Sequence, residues 1–261
     1  MIQLKSKALQ SDLIILRNSC KITEEEEYIA VHSLQNSYFH WGNFLIFHQA
    51  PKETDISRWE EYFCHEFPEC IHQHRAFTWV QGADLPDFKV DGYSIENMVC
   101  LTAKKVQPAD QIHPDITFRR IQSDKDWLEL EQKQIGLYNP KDLTTSLLVF
   151  NKQRLKEYRA MVEDNLGDWF IADLEGNWVA DLGLFYGEEM ARYQNVTTYP
   201  GFEGRGIAHA LVYASAKYAF KNYPIKELII VAEKNSRAQK IYQNLGFKIS
   251  EKRANLYRSL C

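Results

Sequence analysis

The stretch YPGFEGRGIAHALV, Tyr199–Val212, constrains this chain more than any other. It places Gly201, Gly204 and Gly206 directly before an apolar helical pattern. Ile207, Leu211, Ala214 and Tyr218 recur at helical spacing and put one stripe toward a sheet, and Pro224 stops the helix. Just upstream, the strand YQNVTT runs into Pro200. Strand, glycine turn and helix together carry a chemistry. The first amides of a helix have no partner within it, and the helix dipole adds about half a positive charge there. Phosphate binds such ends, and glycine lets the chain turn tightly and the ligand come close. An ordinary tight turn is the alternative. Two familiar phosphate loops do not fit. Gly201 and Gly206 have the P-loop spacing, but Ile207 and Ala208 stand where it needs Lys and Ser or Thr. GRGIAH supplies two of the three glycines of a dinucleotide fingerprint.

The surrounding pattern is legible. ITFRRI (Ile116–Ile121) alternates as a strand. SDKDWLELEQKQIG opens on Ser123 as a cap and closes at Gly136. LTTSLLVFNKQRLKEYRAMVEDNLG reads as a second helix ending at Gly167. DWFIADLE, NWVADLGLFYG and MARYQNVTTYP follow as three strands, with Glu175–Asn177 marking a hairpin. After the glycine-turn helix come ELIIVAEK as a buried strand, SRAQKIYQNLGF as a short helix and ISEKRANLYRSL as a closing strand. The order is β-α-α-β-β-β-α-β-α-β. Pro108 and Pro114 in the polar run KKVQPADQIHPDITF mark a boundary near residue 112, giving domains 1–112 and 113–261.

The N-terminal half mixes strands with a helix. Ile56, Trp59, Phe63 and Phe67 recur at helical spacing, with Asp55 as cap. Asn43–Phe47, Ala76–Val80 and Met98–Ala103 read as strands. Thr23 with Glu26 is a candidate capping box for a helix over Glu24–Glu27, and a solvated face is the plainer reading of those acids. No glycine-rich turn and no catalytic constellation stands out in this half.

Composition excludes several classes. With 45% hydrophobic and 25% charged residues the chain reads as globular, and a net charge of -4 offers no basic field for nucleic acid. No apolar run approaches the ~18 residues of a membrane span. The start, MIQLKSKALQSDLIIL, alternates too closely for a signal peptide, so a cytoplasmic protein is expected. Five scattered cysteines do not read as a disulfide framework. CHEFPECIHQH gathers Cys64, His65, Cys70, His72 and His74, but its cysteine spacing and lack of a second knuckle argue against zinc, and no metal is expected.

VTTYPGFEGRGIAHALV resembles motif A of the GNAT superfamily of N-acetyltransferases: a strand, often a proline, then [Q/R]-x-x-G-x-[G/A] at a helix start. Gly206 and Ala208 fill its last two positions, while Glu203 stands where the family usually has Gln or Arg. NSRAQKIYQNLGF, Asn235–Phe247, resembles the family's second motif, an Asn followed by a short Tyr-bearing helix that ends Leu-Gly-Phe. The resemblance spans roughly Ile116–Leu260. It implies an α+β fold with a GNAT-like mixed central sheet flanked by helices, preceded by a second α+β domain that in some tandem members of the family is a degenerate copy of the same fold.

The resemblance also implies a reaction. The pyrophosphate of acetyl-CoA would sit on the amides of Gly204, Arg205, Gly206, Ile207 and Ala208. Each hydrogen bond to a charged group contributes about 1.5–3 kcal/mol. The pantetheine arm would pair with backbone at Val196, Thr197 and Thr198, where one amide would also hold the thioester oxygen. Asn235 would contact the cofactor, and Tyr242 would protonate the departing thiolate. Tyr242 also shares a helix face with Ala238 and Leu245, so core packing alone accounts for it equally. Asn235 or Ser236 would serve as plain N-cap. Glu203 either points away from the anion or weakens its binding, with Arg205 as a replacement charge. Glu188, Glu189 and His209 are the candidates for the base that the amine needs. The expected activity is N-acetyl transfer to an amine acceptor, and the alternative is a silent acyl-CoA-binding module. The aromatic run SYFHWGNFLIFH would either wall an acceptor cleft or fill a core.

Overall fold

A computed structural model describes residues 6–70, 73–79, 89–108 and 114–260. Its principal elements are α1 (Lys7–Leu16), β1 (Cys20–Glu24), β2 (Tyr28–Ser33), β3 (Asn43–Phe47), α2 (Ile56–Glu66), β4 (His74–Trp79) and β5 (Ser94–Ala103). They continue with β6 (Ile116–Arg120), α3 (Asp124–Ile135), α4 (Thr145–Glu163), β7 (Gly167–Leu174), β8 (Asn177–Tyr186) and β9 (Met190–Thr198). The last are α5 (Ile207–Asn222), β10 (Glu227–Glu233), α6 (Arg237–Asn244) and β11 (Lys248–Ser259). The fold is mixed α+β, in two compact units. One comprises Met1–Cys100, Ala232–Lys234 and Ile249–Cys261, the other Leu101–Val231 and Asn235–Lys248. The boundary expected near residue 112 lies outside the described residues. Ile249 onward packs with the first unit, although its position in the chain puts it in the C-terminal half. The reason is pairing: β11 runs antiparallel to β4, with Asn255 opposite Thr78 and Ser259 opposite His74.

In the first unit β1, β2 and β3 form an antiparallel meander, and α2 carries the chain across to β4, which lies parallel to β3. β3 is buried on both faces, so NFLIF shows no polar alternation. Leu45 and Phe47 join Trp59 and Phe63 of α2 on one side; Phe44 and Ile46 join Leu9, Leu13 and Leu16 of α1 on the other. Phe47 stacks on Trp59 at 3.7 Å between centroids. The aromatic run around residue 41 is therefore largely core.

Two local expectations are corrected here. Glu24 ends β1 and Glu25–Glu27 form the turn of the β1–β2 hairpin, closed by Glu25 N–H to the Tyr28 carbonyl at 2.8 Å, so these exposed acids are a solvated face and not a capped helix. The alternating apolar residues flanking the turn, Ile22, Ile29 and Val31, pair as strands and overrule the local capping pattern. Asp55 precedes α2, but its carboxylate accepts the Lys52 N–H at 2.8 Å and does not cap that helix.

The second unit has the strand order β10-β9-β8-β7-β6, all antiparallel except β10 with β9. Ser123 and Asp126 form the capping box of α3, and Gly136 closes it. The second helix stops at Glu163, short of Gly167. Asn165, at φ 58, turns the chain, and Gly167 opens β7, where a Cβ would lie 2.4 Å from the Phe185 ring. The hairpin after β7 has Glu175 and Gly176 both at positive φ, the geometry its sequence calls for. Successive residues of β7 face opposite ways: Trp169 meets Tyr158 of α4, and Phe170 meets Tyr218 of α5. Tyr193 of β9 donates to the Val212 carbonyl at 2.9 Å and fastens α5 to the sheet.

Both units thus repeat one arrangement: antiparallel strands, a helical crossover, then a parallel strand. In the second unit a glycine-rich turn precedes the crossover helix; in the first, HQAPKETD (48–55) does so without a glycine. Among the described residues no helix is long and apolar enough to cross a membrane.

Candidate functional site

The turn between β9 and α5 is built on left-handed backbone. Gly201, Gly204 and Gly206 stand at φ 86, 81 and 75, conformations that cost an ordinary residue about 1–2 kcal/mol. Gly206 is the N-cap of α5 and lends no side chain to the helix end. The first helical bond runs from Ala210 N–H to the Gly206 carbonyl, at 3.0 Å. The amides of Ile207, Ala208 and His209 therefore have no partner within the helix and point along the positive end of its dipole. Gly204, Arg205 and Gly206 are exposed, while the Ile207 side chain is buried and anchors the first turn.

Glu203 turns away from that end. Its Oε2 accepts the Gly201 N–H at 2.8 Å, so the acid closes the turn upstream of the helix amides. Arg205 Nη2 donates to the Gly201 carbonyl at 3.0 Å, with its guanidinium 5.4 Å from the Phe202 ring centre. A second cation escaped the sequence reading. The Arg237 guanidinium, on the first residue of α6, lies 3.4 Å from where a Cβ on Gly204 would be. A signal was available, since a cation in the first turn of a helix opposes the dipole and calls for another reason to be there.

Beside this turn the sheet opens. β10 and β9 pair in parallel only from Glu227–Ile229 with Met190–Arg192; both strands then continue without further pairing to each other. On its other edge β9 stays on β8, but the register shifts between Asp181 and Gly183, and Asn195 stands at φ 48. This bulge precedes Val196, Thr197 and Thr198, which are all partly exposed. The edge of β9 past Arg192 is thus left to another backbone-pairing partner.

α6 supplies the remaining residues. Ser236 is its N-cap, accepting the Gln239 N–H at 3.2 Å. Asn235, exposed and at φ 64, donates its N–H to Gln239 Oε1 at 2.7 Å, leaving its amide side chain to solvent. Tyr242 is buried on the face that also holds Gln239 and Leu245, near Phe247. Its hydroxyl has no hydrogen-bond partner among the described residues. Burial pushes its phenol up to about 12, with the Arg192 charge on β9 working the other way. The group is protonated at neutral pH and able to donate.

The proposed bases fare unequally. Glu188 and Glu189 occupy the β8–β9 turn, at the end of β9 opposite Thr198, and Glu189 pairs with Lys226. His209 lies in the first turn of α5, its Nε2 3.4 Å from the Gln107 carbonyl. A cleft of about 580 Å³ runs along α3, lined by Glu129, Lys133, Trp178, Tyr199, Pro200 and Phe202 among others; the last three belong to the glycine turn.

The cysteine–histidine segment disperses. Cys64 is exposed beside Arg75, Cys70 donates to the Ser37 carbonyl, and His74 is buried against His40. His72 lies outside the described residues. Among the described residues no three His, Cys, Asp or Glu side chains gather as metal ligands do.

The acetyltransferase (GNAT) family model matches residues 129–247, which hold the turn, β9, β10 and α6. No curated protein matches the sequence. Among solved structures, a functionally unknown conserved protein from Staphylococcus epidermidis is similar at TM-score 0.69 and 12% identity, over 91% of this chain and 93% of that one. A GCN5-related N-acetyltransferase from Kribbella flavida is similar at 0.66 and 10%, over 99% and 96%. A tandem GNAT protein from the clavulanic acid biosynthesis pathway is similar at 0.55 and 11%, over 83% and 74%. At these identities the likeness is one of fold.

Proposed function

We propose, from the premise that residues 129–247 form a GNAT acetyltransferase domain, that this chain transfers acetyl from acetyl-CoA to a primary amine by direct attack. The observation that carries this reading is the run of left-handed glycines opening α5 beside the unpaired edge of β9. The amides of Gly204, Arg205, Gly206, Ile207 and Ala208 hold the pyrophosphate, with Arg205 and Arg237 adding positive charge. Glu203 keeps its charge but is engaged with the Gly201 N–H, upstream of the helix amides. The backbone of Val196, Thr197 and Thr198 pairs with the amide-bearing arm, and one of these N–H groups holds the thioester oxygen as it gains charge. Asn235 reaches the same arm from the start of α6.

The amine nitrogen bonds to the acyl carbon, and the carbon–sulfur bond breaks with its electron pair on sulfur. Tyr242 gives the departing thiolate its proton, and the nitrogen loses its surplus proton to solvent or to a base. A thiolate whose thiol titrates near 8.5 is a weaker base than the raised phenolate, so the phenolate left after donation takes a proton back readily. A second reading, acyl-CoA binding without chemistry, is favoured by the placement of Glu188 and Glu189 at the far end of β9.

Release of free thiol from acetyl-CoA across a panel of amines, with the full chain, tests the choice. Amine-dependent release supports transfer. Binding without release on any amine supports the silent reading.

A further inference from the structure

Asp181 is fully buried in the second unit, and three donors, from β7, α3 and the entry to the glycine turn, converge on its carboxylate. The Tyr199 hydroxyl donates at 2.5 Å, Trp169 Nε1 of β7 at 3.0 Å and Gln134 Nε2 of α3 at 3.5 Å. Burial holds this carboxyl up at about 6, against the downward pull of the three donors. Burying an acid costs several kcal/mol unless it is well bonded; this one accepts on both oxygens, Oδ2 from Tyr199 and Oδ1 from Trp169 and Gln134, where a neutral amide has only one acceptor oxygen. The three donors call for an acid but do not by themselves say what it is for.

The position of one donor does. Tyr199 and Pro200 are all that separate β9 from the first left-handed glycine. The Tyr199 amide donates to the Val179 carbonyl at 3.0 Å, its hydroxyl reaches Asp181, and its carbonyl accepts the Phe202 N–H at 3.1 Å. Val179 and Asp181 both lie on β8, so the chain enters the glycine turn from a residue tied to β8 by backbone and side chain alike. Ile207 fixes the far end. Between these points three glycines leave much backbone freedom, and amides converge on one anion only if both ends are held. The other groups facing Tyr199 are Lys133, whose ammonium lies 5.2 Å from the ring centre, and Glu129, whose charge raises the phenol further.

We propose that Asp181 is a positioning residue for the anion cradle: through its bond to Tyr199 it holds the entry of the glycine turn in the conformation that binds acetyl-CoA. This rests on the cradle reading above. The charged acceptor matters because its bond is shorter and roughly twice as strong as that of a neutral one.

The test is calorimetric titration of the full chain with acetyl-CoA, comparing wild type, Asp181→Asn, Tyr199→Phe and the double variant. At pH 8, Asp181→Asn weakens binding about fivefold and Tyr199→Phe about tenfold. The double variant matches Tyr199→Phe, because both changes act through one contact. KM for acetyl-CoA rises in the same ratio, with a smaller fall in kcat. Lowering the pH from 8 to 5 closes the gap between wild type and Asp181→Asn as the carboxyl takes its proton; the phosphates titrate alike in both.

Unchanged affinity in Tyr199→Phe, additive losses in the double variant, or a gap that does not close with pH overturns the proposal. Tyr199→Phe keeps the ring, so it carries the test if Asp181→Asn does not fold. If wild type itself binds no acetyl-CoA, the functional reading is what fails. The positioning claim is then decided without ligand: faster hydrogen exchange of the Phe202 and Ala210 amides in Tyr199→Phe supports it, and unchanged exchange overturns it.

Discussion

At Gly206, a φ of 75 excludes a β-branched side chain, and the amides that follow it open α5. Glu203 is the residue where sequence alone left a conflict, since an acid beside a pyrophosphate is repulsive. In the structure that acid is engaged by one bond to the Gly201 N–H, two residues away, which no spacing rule announces. Arg237 was hidden for the opposite reason: it comes from another helix and meets Gly204 only in the fold. Tyr242 is nameable from its motif and its burial from the helix face it shares with Ala238 and Leu245, but the Arg192 charge near it is not. If Tyr242 is the acid, Tyr242→Phe lowers kcat about a hundredfold or more, within the range of general acid catalysis, while calorimetric affinity for acetyl-CoA stays within about twofold. Equal rates would remove it from the reaction. His74 gives a residue-scale test of a different kind. Burial holds it down to about 4, below its unfolded value near 6.5. The unfolded chain therefore binds the extra proton first, and stability present above pH 6.5 is lost as pH falls toward 4, by up to about 3 kcal/mol. Asp181, raised to about 6, works in the opposite direction over part of that window. The reading is thus the slope of denaturant stability against pH in wild type compared with His74→Gln, which should be shallower; equal slopes would contradict the assignment.

Elements that carry their own punctuation were legible. Ser123 and Gly136 bracket α3, Glu175 and Gly176 make the hairpin, and glycines open α5. Elements defined by distant partners were not. α1 has no strong polar face, and its apolar Leu9, Leu13 and Leu16 make sense only against Phe44 and Ile46 of β3. β1 and β2 lay on either side of a run of acids whose local pattern favours a helix, and cross-strand pairing prevailed. The parting of β9 from β10 after Arg192 likewise has no local signature except Asn195, whose positive φ shows only in the structure. Because α1 covers one face of the first unit's sheet, Leu13→Ala should destabilise that unit by about 2–5 kcal/mol, measured by urea unfolding with hydrogen exchange read on β2 and β3. A loss under about 1 kcal/mol would mean that α1 is peripheral.

Among the described residues, one arrangement of strands and crossover helix occurs twice, and the second carries glycines at the crossover where the first has none. The half without them showed no motif to read, because what it shares with the other half is topology and not residues. The three solved structures named above match most of this chain at 10–12% identity, the same lesson at larger scale. It follows that acetyl-CoA should find one cradle per chain, between β9 and α5, and none at the glycine-free turn before α2. Calorimetric titration of the intact chain with acetyl-CoA tests this most directly, with Gly206→Val, checked for folding by circular dichroism, as the comparison. The account predicts a stoichiometry of one and binding weakened at least tenfold in the variant. No heat of binding in wild type, a stoichiometry of two, or unchanged affinity in Gly206→Val would contradict it.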